Sequence, residues 1–218
     1  MEVREFKNHI YNELASISKA MGNAHRLEII ELLAQGAASV EYIAENTEMN
    51  VANASQHLQT LKQARLVKTQ KKGKYNYYSL SSPKVFELWK AMRELGFSQN
   101  AEIERLVKDM QESRQSLEFV SSDELFERIQ KGQALAIDVR PYEEYEEGHI
   151  SGAISIPKEE LLEKIQQLPR DKEIVAYCRG PLCAMADEAV EMLREQGYKA
   201  KRLEEGYPEW QTKGLPSE

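Results

Sequence analysis

Phe6, Ile10, Leu14 and Ile17 recur three or four residues apart, the spacing of one helical face, and predict a first helix over residues 5–20. Leu27, Ile30 and Leu33 repeat the pattern over residues 24–35, where Gly36 ends it. Ser39 reads as an N-cap, its oxygen able to accept from an early helical N–H, with Tyr42 and Ile43 on the buried face of a short third helix. Residues 46–49 break the pattern, and Asn50 caps a fourth helix running to about Ala64. Ala54, Leu58 and Leu61 form its inner face; Asn53, Gln56 and Gln59 fall largely on another, beside Ser55 and His57. The pattern then becomes strand-like, with residues 66–70 and 75–80 flanking the turn Lys71-Lys72-Gly73-Lys74, which predicts a hairpin with a basic tip.

From Pro83 the helical pattern returns through Val85, Phe86, Leu88, Trp89, Met92 and Leu95, with an interruption expected at Gly96. A second stretch carries Ile103, Leu106, Val107 and Met110 and fades over residues 112–116. Beyond it, helices alternate with short apolar strands. Ser121 or Ser122 caps a helix (Leu125, Phe126, Ile129) that Gly132 stops, and residues 134–140 form a strand. A helix starts at Pro157, a strand follows at residues 174–177, and a helix reaches about Gln196. A last strand (199–203) and a turn at Gly206 complete the series. Such alternation predicts an α/β domain with a largely parallel sheet, in which ligand sites lie at the carboxyl ends of strands. The chain therefore divides into a mainly α domain with a β-hairpin (1–100), a helical connection (101–117) and an α/β domain (118–218). The connection has no Gly/Ser-rich or Pro-rich linker.

The 218 residues suffice for two modest domains. Nothing approaches the roughly 18 consecutive apolar residues of a membrane span, and the first residues lack a signal-peptide core, so a soluble cytoplasmic protein is expected. There the two cysteines read as reactive thiols rather than a structural bridge. The four histidines are scattered without metal-ligand spacing, so neither metal nor cofactor is expected. The net charge of −7 conceals an asymmetry. Residues 1–115 carry 16 Lys/Arg against 14 Asp/Glu, and residues 116–218 carry 13 against 22. No acid occurs between Glu48 and Glu87, a window holding Lys62, Arg65, Lys68, Lys71, Lys72, Lys74 and Lys84. That window coincides with most of the fourth helix and the hairpin. Two short helices with a tight connection, the second exposing small polar side chains, make a helix-turn-helix, and the hairpin makes its wing. Asn53, Gln56 and Gln59 can donate and accept at a base edge of double-stranded DNA. Ser55, His57, Lys62, Lys71, Lys72 and Lys74 suit the phosphates.

A second feature stands at Tyr177-Cys178-Arg179-Gly180-Pro181-Leu182-Cys183-Ala184, which holds both cysteines. An apolar strand leads in and a helix leads out. A cysteine delivered to a helix N-terminus faces backbone N–H groups and the positive end of the helix dipole, which lower a thiol pKa.

Residues 55–67, with their Ser-x-His-Leu-x-x-Leu-x-x-Ala-Arg-Leu-Val run before a basic wing, resemble the ArsR-type winged-helix repressors, as does Ala24-His25-Arg26-Leu27. Arg65 stands where that pattern usually has Gly. The resemblance implies a homodimer, packed through its first and last helices, on a roughly palindromic operator. Metal-sensing members carry a cysteine cluster at the start of the third helix or Asp/His ligands on the last. This chain has Ser39-Val40-Glu41-Tyr42-Ile43 and no histidine there, so the signal is expected to enter elsewhere.

Asp138-Val139-Arg140, the run from Glu143 through Gly148-His149-Ile150 to Pro157, Tyr177-Cys178-Arg179 and Glu205-Gly206-Tyr207-Pro208-Glu209-Trp210 resemble the rhodanese signature over residues 118–213. The resemblance implies that Cys178 is a nucleophile cycling through a persulfide, with Asp138, Arg140 and His149 as scaffold. Sulfane transfer expels an anionic leaving group, which Arg179 and the loop amides are placed to hold. Two departures bear on turnover. Pro181 stands where Gly is common and removes an N–H, and Cys183 stands where a basic residue is frequent. Cys183 reads either as a resolving thiol or as a small buried side chain opening a helix.

These features imply a DNA-binding regulator, a repressor, whose rhodanese-like domain senses reactive sulfur or an oxidant through Cys178 and Cys183. The alternative is a sulfurtransferase or arsenate reductase with an autoregulatory DNA-binding half. On either reading a small sulfur or oxyanion species meets Cys178.

Overall fold

A computed structural model of the chain describes residues 3–113 and 117–218, so the predicted fading of the connecting helix at residues 114–116 lies outside the described residues. The chain forms two compact units, Met1–Met92 and Arg93–Glu218. Among the described residues no helix is long and apolar enough to cross a membrane.

The first unit contains α1 (Val3–Met21), α2 (Ala24–Leu33), β1 (Ala38–Ser39), α3 (Val40–Asn46), α4 (Val51–Gln63), β2 (Val67–Lys72), β3 (Tyr75–Leu80) and the start of α5 (Pro83–Gln99). The capping residues open their helices as their chemistry predicts. Asn23 accepts from the Arg26 N–H (3.2 Å), Ser39 from Tyr42 (3.2 Å) and Asn50 from Asn53 (2.9 Å). Ile29, Ile30, Ile43, Ala54, Leu58 and Leu61 are fully buried, and Val85, Phe86 and Trp89 of α5 complete this core. The strands make an antiparallel sheet in the order β1-β3-β2, giving a winged helix-turn-helix.

Two local features depart from simple expectation. Arg65 follows the end of α4 with φ 59°, in the left-handed region. The Leu66 N–H there donates to Leu61 O (2.9 Å) and the Arg65 N–H to Lys62 O (2.9 Å), a Schellman closure that favours glycine at this position. Gly96, moreover, does not interrupt α5. One glycine costs a helix about 1 kcal/mol relative to alanine, which a 17-residue helix absorbs. The break comes at Asn100, whose side chain caps α6 (Ala101–Ser113) by accepting from Glu102 and Ile103 N–H groups (3.0 and 3.3 Å).

Beyond α6 the second unit is built from β4 (Phe119–Val120), α7 (Ser122–Gln130), β5 (Ala134–Asp138), α8 (Tyr142–Glu147), β6 (Ile154–Ser155), α9 (Leu161–Lys164), β7 (Glu173–Tyr177), α10 (Met185–Glu195), β8 (Ala200–Leu203) and α11 (Tyr207–Thr212). Short 3-10 turns flank α9. The five strands run parallel in the order β4-β8-β7-β5-β6. β7 lies at the centre, and Ile174, Val175, Ala176 and Tyr177 are fully buried. Their two-residue alternation divides the core. Ile174 and Ala176 pack with Ala186, Ala189, Val190 and Leu193 of α10, and the same alternation places Cys178 in that cluster. Val175 and Tyr177 face Leu125 and Trp210 in the other. The pattern did not reveal β4 and β6, which are two residues long, nor α8, whose sequence Tyr-Glu-Glu-Tyr-Glu-Glu carries no aliphatic stripe. The turn expected at Gly206 opens a helix, α11.

Candidate functional site

In the first unit, α4 and the β2–β3 hairpin carry the predicted nucleic-acid residues. Burial of Ala54, Leu58 and Leu61 fixes which face of α4 points inward and leaves Asn53, Gln56, Gln59 and Lys62 exposed, with Ser55 and His57 half-buried. The Gln59 amide donates to the Tyr78 hydroxyl of β3 (3.4 Å), which ties the helix to the wing. His57 lies against the ring of His25 (centroids 5.5 Å apart). Burial, His25 and Arg26 lower its pKa, which favours the neutral imidazole. At the hairpin tip Lys71, Lys72 and Lys74 are exposed. The ammonium groups of Lys72 and Lys74 lie over the rings of Tyr77 and Tyr75 (4.9 and 5.1 Å), which braces two of the three cations.

In the second unit, β7 ends at Tyr177 and delivers Cys178 into the loop before α10. The N-cap of α10, Ala184, offers no side-chain acceptor, so the first N–H groups of the helix need another partner. The sulfurs provide it. The Ala186 N–H, with that of Gly180, donates to Cys178, and the Met185 N–H, with that of Arg179, donates to Cys183. The Cys183 side chain also hydrogen-bonds to the Cys178 sulfur, which favours a proton on Cys183 and its loss from Cys178. Burial opposes ionisation of Cys178. The Cys183 hydrogen bond, the Arg202 charge and the two N–H donors outweigh it and bring its pKa down to about 6. Cys183 is pushed up, because Cys178 and burial both favour retention of its proton.

Arg202, on β8, was not singled out by the sequence. Its guanidinium donates to the carbonyls of Gly180 (3.1 Å) and Cys183 (3.0 Å). These two carbonyls lie near the Cys178 sulfur, at 3.9 and 3.6 Å. Arg202 therefore draws away the negative ends of the loop dipoles that would disfavour a thiolate. Asp187, in the first turn of α10, balances it. The Arg202 Nε and Asp187 Oδ1 are 2.8 Å apart, both side chains are almost wholly buried, and they meet off the hydrogen-bond axis, as a charge pair.

Arg179 turns toward Glu144 of α8, donating from Nε to both carboxylate oxygens (2.9 and 3.1 Å) and from a terminal nitrogen to one of them. Glu144 is itself buried. Asp138 and Arg140 are fully buried and bound to each other (Nε to Oδ1 3.0 Å and to Oδ2 3.1 Å). Burial opposes the Arg140 charge, but Asp138 outweighs it and raises its pKa. Arg140 also donates to the Gly148 carbonyl (2.8 Å) and lies over the Tyr207 ring at 4.6 Å. His149 stacks on Tyr145 (3.7 Å) and approaches the Glu218 carboxylate (3.9 Å).

The loop is closed from behind by the start of α11. The Tyr207 N–H donates to the Cys178 carbonyl (3.3 Å). Gly206 lies so close that a Cβ there would sit 2.4 Å from the Arg179 carbonyl oxygen and 2.6 Å from the Gly180 Cα. Only glycine permits that approach. The structure thus gathers Cys178, Arg179 and Cys183 in one loop, supported by Glu144, Asp187, Arg202 and Gly206. An acid in the first turn of a helix and an arginine in a strand are ordinary in sequence, so nothing in the pattern marked Asp187 or Arg202. Among the described residues, no three His, Cys, Asp or Glu side chains converge in a manner suited to a metal ion.

Comparison with known proteins bears on both regions. Residues 23–69 match the family described as bacterial regulatory protein, arsR family, and residues 121–213 match the rhodanese-like domain. The HTH-type transcriptional regulator Rv0324 of Mycobacterium tuberculosis is 39% identical over 96% of this chain and 92% of its own length. The putative sulfurtransferase YtwF of Bacillus subtilis is 36% identical over 44% of this chain and 93% of its own. The homodimeric winged helix-turn-helix DNA-binding domain of a possible ArsR-family regulator from Mycobacterium bovis is 33% identical, over 47% of this chain and 93% of that one, with a TM-score of 0.43.

Proposed function

The chain belongs to the ArsR-family HTH-type transcriptional regulators with a C-terminal rhodanese-like domain, and from that premise we propose that it is a cytoplasmic repressor that senses reactive sulfur through Cys178. One observation carries the reading. Cys178 stands between the central strand and α10, hydrogen-bonded to the only other cysteine of the chain, and the loop carbonyls that face its sulfur are bound by Arg202, an arrangement that favours the thiolate. A thiolate of this kind attacks sulfane sulfur and becomes a persulfide. Cys183 then attacks the Cys178 sulfur, its proton leaves with the expelled hydrosulfide, and a Cys178–Cys183 disulfide remains. The sulfane donor supplies the oxidising equivalent, so no further oxidant is required.

The disulfide removes the thiolate, and either product alters the sulfur that the Arg202-bound carbonyls of Gly180 and Cys183 face. A coupling of about 1–3 kcal/mol between loop and operator, or 5–150-fold in affinity, suffices for regulation. On the DNA side, Asn53 and Gln56 read base edges, while Lys62, Lys71, Lys72 and Lys74 hold phosphates. Dimerisation is proposed through α1 and the last helices. Phe6, Ile10 and Leu14 form an exposed apolar stripe on α1, and Leu88, Met92 and Leu95 are exposed on α5.

The test measures operator binding by the purified full chain before and after treatment with polysulfide or peroxide, with intact mass recorded on the same samples. Expected is a change in affinity that tracks modification of Cys178 and vanishes in Cys178→Ser. Unchanged affinity with Cys178 fully modified defeats the sensor reading. A second reading, turnover as a sulfurtransferase, draws support from the likeness to YtwF. Sustained sulfane transfer abolished by Cys178→Ser favours it.

A further inference from the structure

We infer that Glu144 and Asp187 make the Cys178 loop a site for a single negative charge, so that it takes sulfane sulfur from neutral persulfides and rejects dianionic donors. This rests on the sulfur reading above and names its substrate class. The argument starts from where the cations near the loop direct their charge. Arg179, which follows the nucleophile, is bound through two nitrogens to the buried carboxylate of Glu144. Arg202, the guanidinium behind the loop, is balanced by buried Asp187, and its donors go to the Gly180 and Cys183 carbonyls. Lys158, whose charge also reaches Cys183, is bound to Glu188 (2.7 Å). Each of these three cations thus meets a carboxylate. Among the described residues, further stabilisation for an anion comes from the N–H groups at the α10 N-terminus and the Cys183 thiol, which the Cys178 thiolate already occupies. Leu182 of the same loop is exposed and apolar, and brings no charge.

Thiosulfate would bring two further negative charges to this thiolate and leave as sulfite dianion, and the three cations that could receive it are already balanced. An alkyl persulfide, R–S–SH, differs in charge but not in chemistry. The Cys178 thiolate attacks its outer sulfur and the donor S–S bond breaks. The new bond forms as Cys178–S–SH, and the electron pair and charge depart on the alkyl thiolate. The total charge in the pocket stays at one throughout. The same reasoning disfavours arsenate, an oxyanion carrying one to two charges and needing several donors.

The experiment follows Cys178 by intact mass in the full chain under two sulfane donors, an alkyl persulfide generated in situ and thiosulfate. Wild type is expected to react at least about 100-fold faster with the persulfide, the scale on which one anion-stabilising donor acts. Two variants move a cation toward the pocket by different means. Glu144→Gln releases the Arg179 charge, and Leu182→Arg adds one at an exposed position where folding is undisturbed. Both should raise the thiosulfate rate by roughly 100-fold, again on the scale of one donor, and Leu182→Arg should leave the persulfide rate within about threefold. Comparable rates with the two donors in wild type, or no gain in thiosulfate rate in both variants, overturns the inference while leaving sulfur sensing intact. If iodoacetamide alkylates Cys178 but neither donor modifies it, the sulfur reading falls as well.

Discussion

The wing of the helix-turn-helix and the cysteine loop both gather positive charge, and they handle it in different ways. On the hairpin tip, Lys71, Lys72 and Lys74 are exposed, with aromatic rings beneath two of them. Around the loop, Arg140, Arg179 and Arg202 each meet a buried carboxylate, from Asp138, Glu144 and Asp187. An exposed cation acts at a distance on a polyanion and is screened by salt. A buried, paired cation fixes geometry and acts on its nearest neighbours alone. The first arrangement attracts a large ligand. The second prepares one sulfur atom.

The contrast would be tested most severely by stranding a buried charge. Asp138→Asn leaves Arg140 without its carboxylate in a fully buried position and should destabilise the second unit by about 3–5 kcal/mol. A chemical denaturation midpoint close to that of wild type would show that the pair does not brace the sheet end. Removal of the loop cation should move the chemistry instead. Alkylation of Cys178 is expected to be slow below pH 6, where the thiol is protonated, and to rise through its pKa of about 6 to a plateau. In Arg202→Met combined with Asp187→Leu, which leaves neither charge unpaired, the rise should shift toward the ordinary thiol value near 8.5. An unmoved profile would assign the thiolate to the N–H groups and Cys183 alone.

Replacing Lys71, Lys72 and Lys74 together with Gln should leave stability within about 0.5 kcal/mol, as for other surface changes. It should also weaken DNA binding across sequences and flatten the salt dependence of log K by about 0.9 for each phosphate no longer neutralised. A preserved salt slope would remove the wing from the interface. The smallest effect is expected at Arg65. Its left-handed backbone disfavours any side chain by roughly 1–2 kcal/mol. Arg65→Gly should therefore raise the unfolding free energy by about 1 kcal/mol, net of the greater entropy of glycine in the unfolded chain, as read from the denaturation midpoint.

Much of the fold could be read along the chain because its signals are local. Asn23, Ser39 and Asn50 cap their own helices, the basic turn makes its own hairpin, and the apolar period gives the inner face of α4. Residues 134–140 and 174–177 read as strands because β5 and β7 pair at the sheet centre and are largely buried on both faces. The short strands β4 and β6 and the polar helix α8 carry no period of their own and are held by their neighbours. Gly96 illustrates the opposite error. A local breaker was overridden by the helix around it, and the stop fell at the capping residue Asn100.

The sequence by itself determined that this chain pairs a winged helix with a rhodanese-like α/β domain, that the outward amides of α4 and the lysines share one basic window, and that both cysteines sit before one helix. Spacing, capping chemistry and charge distribution are properties of neighbours in the chain, so they are legible along its length. The tertiary structure alone decided which partner each charge in the second unit meets. Glu144, Asp187 and Arg202 lie 34, 9 and 24 positions from Cys178 in the sequence, and only the parallel sheet brings them around its loop. Electrostatics depends on distance through space, so the charge of the sulfur pocket is a property of the fold.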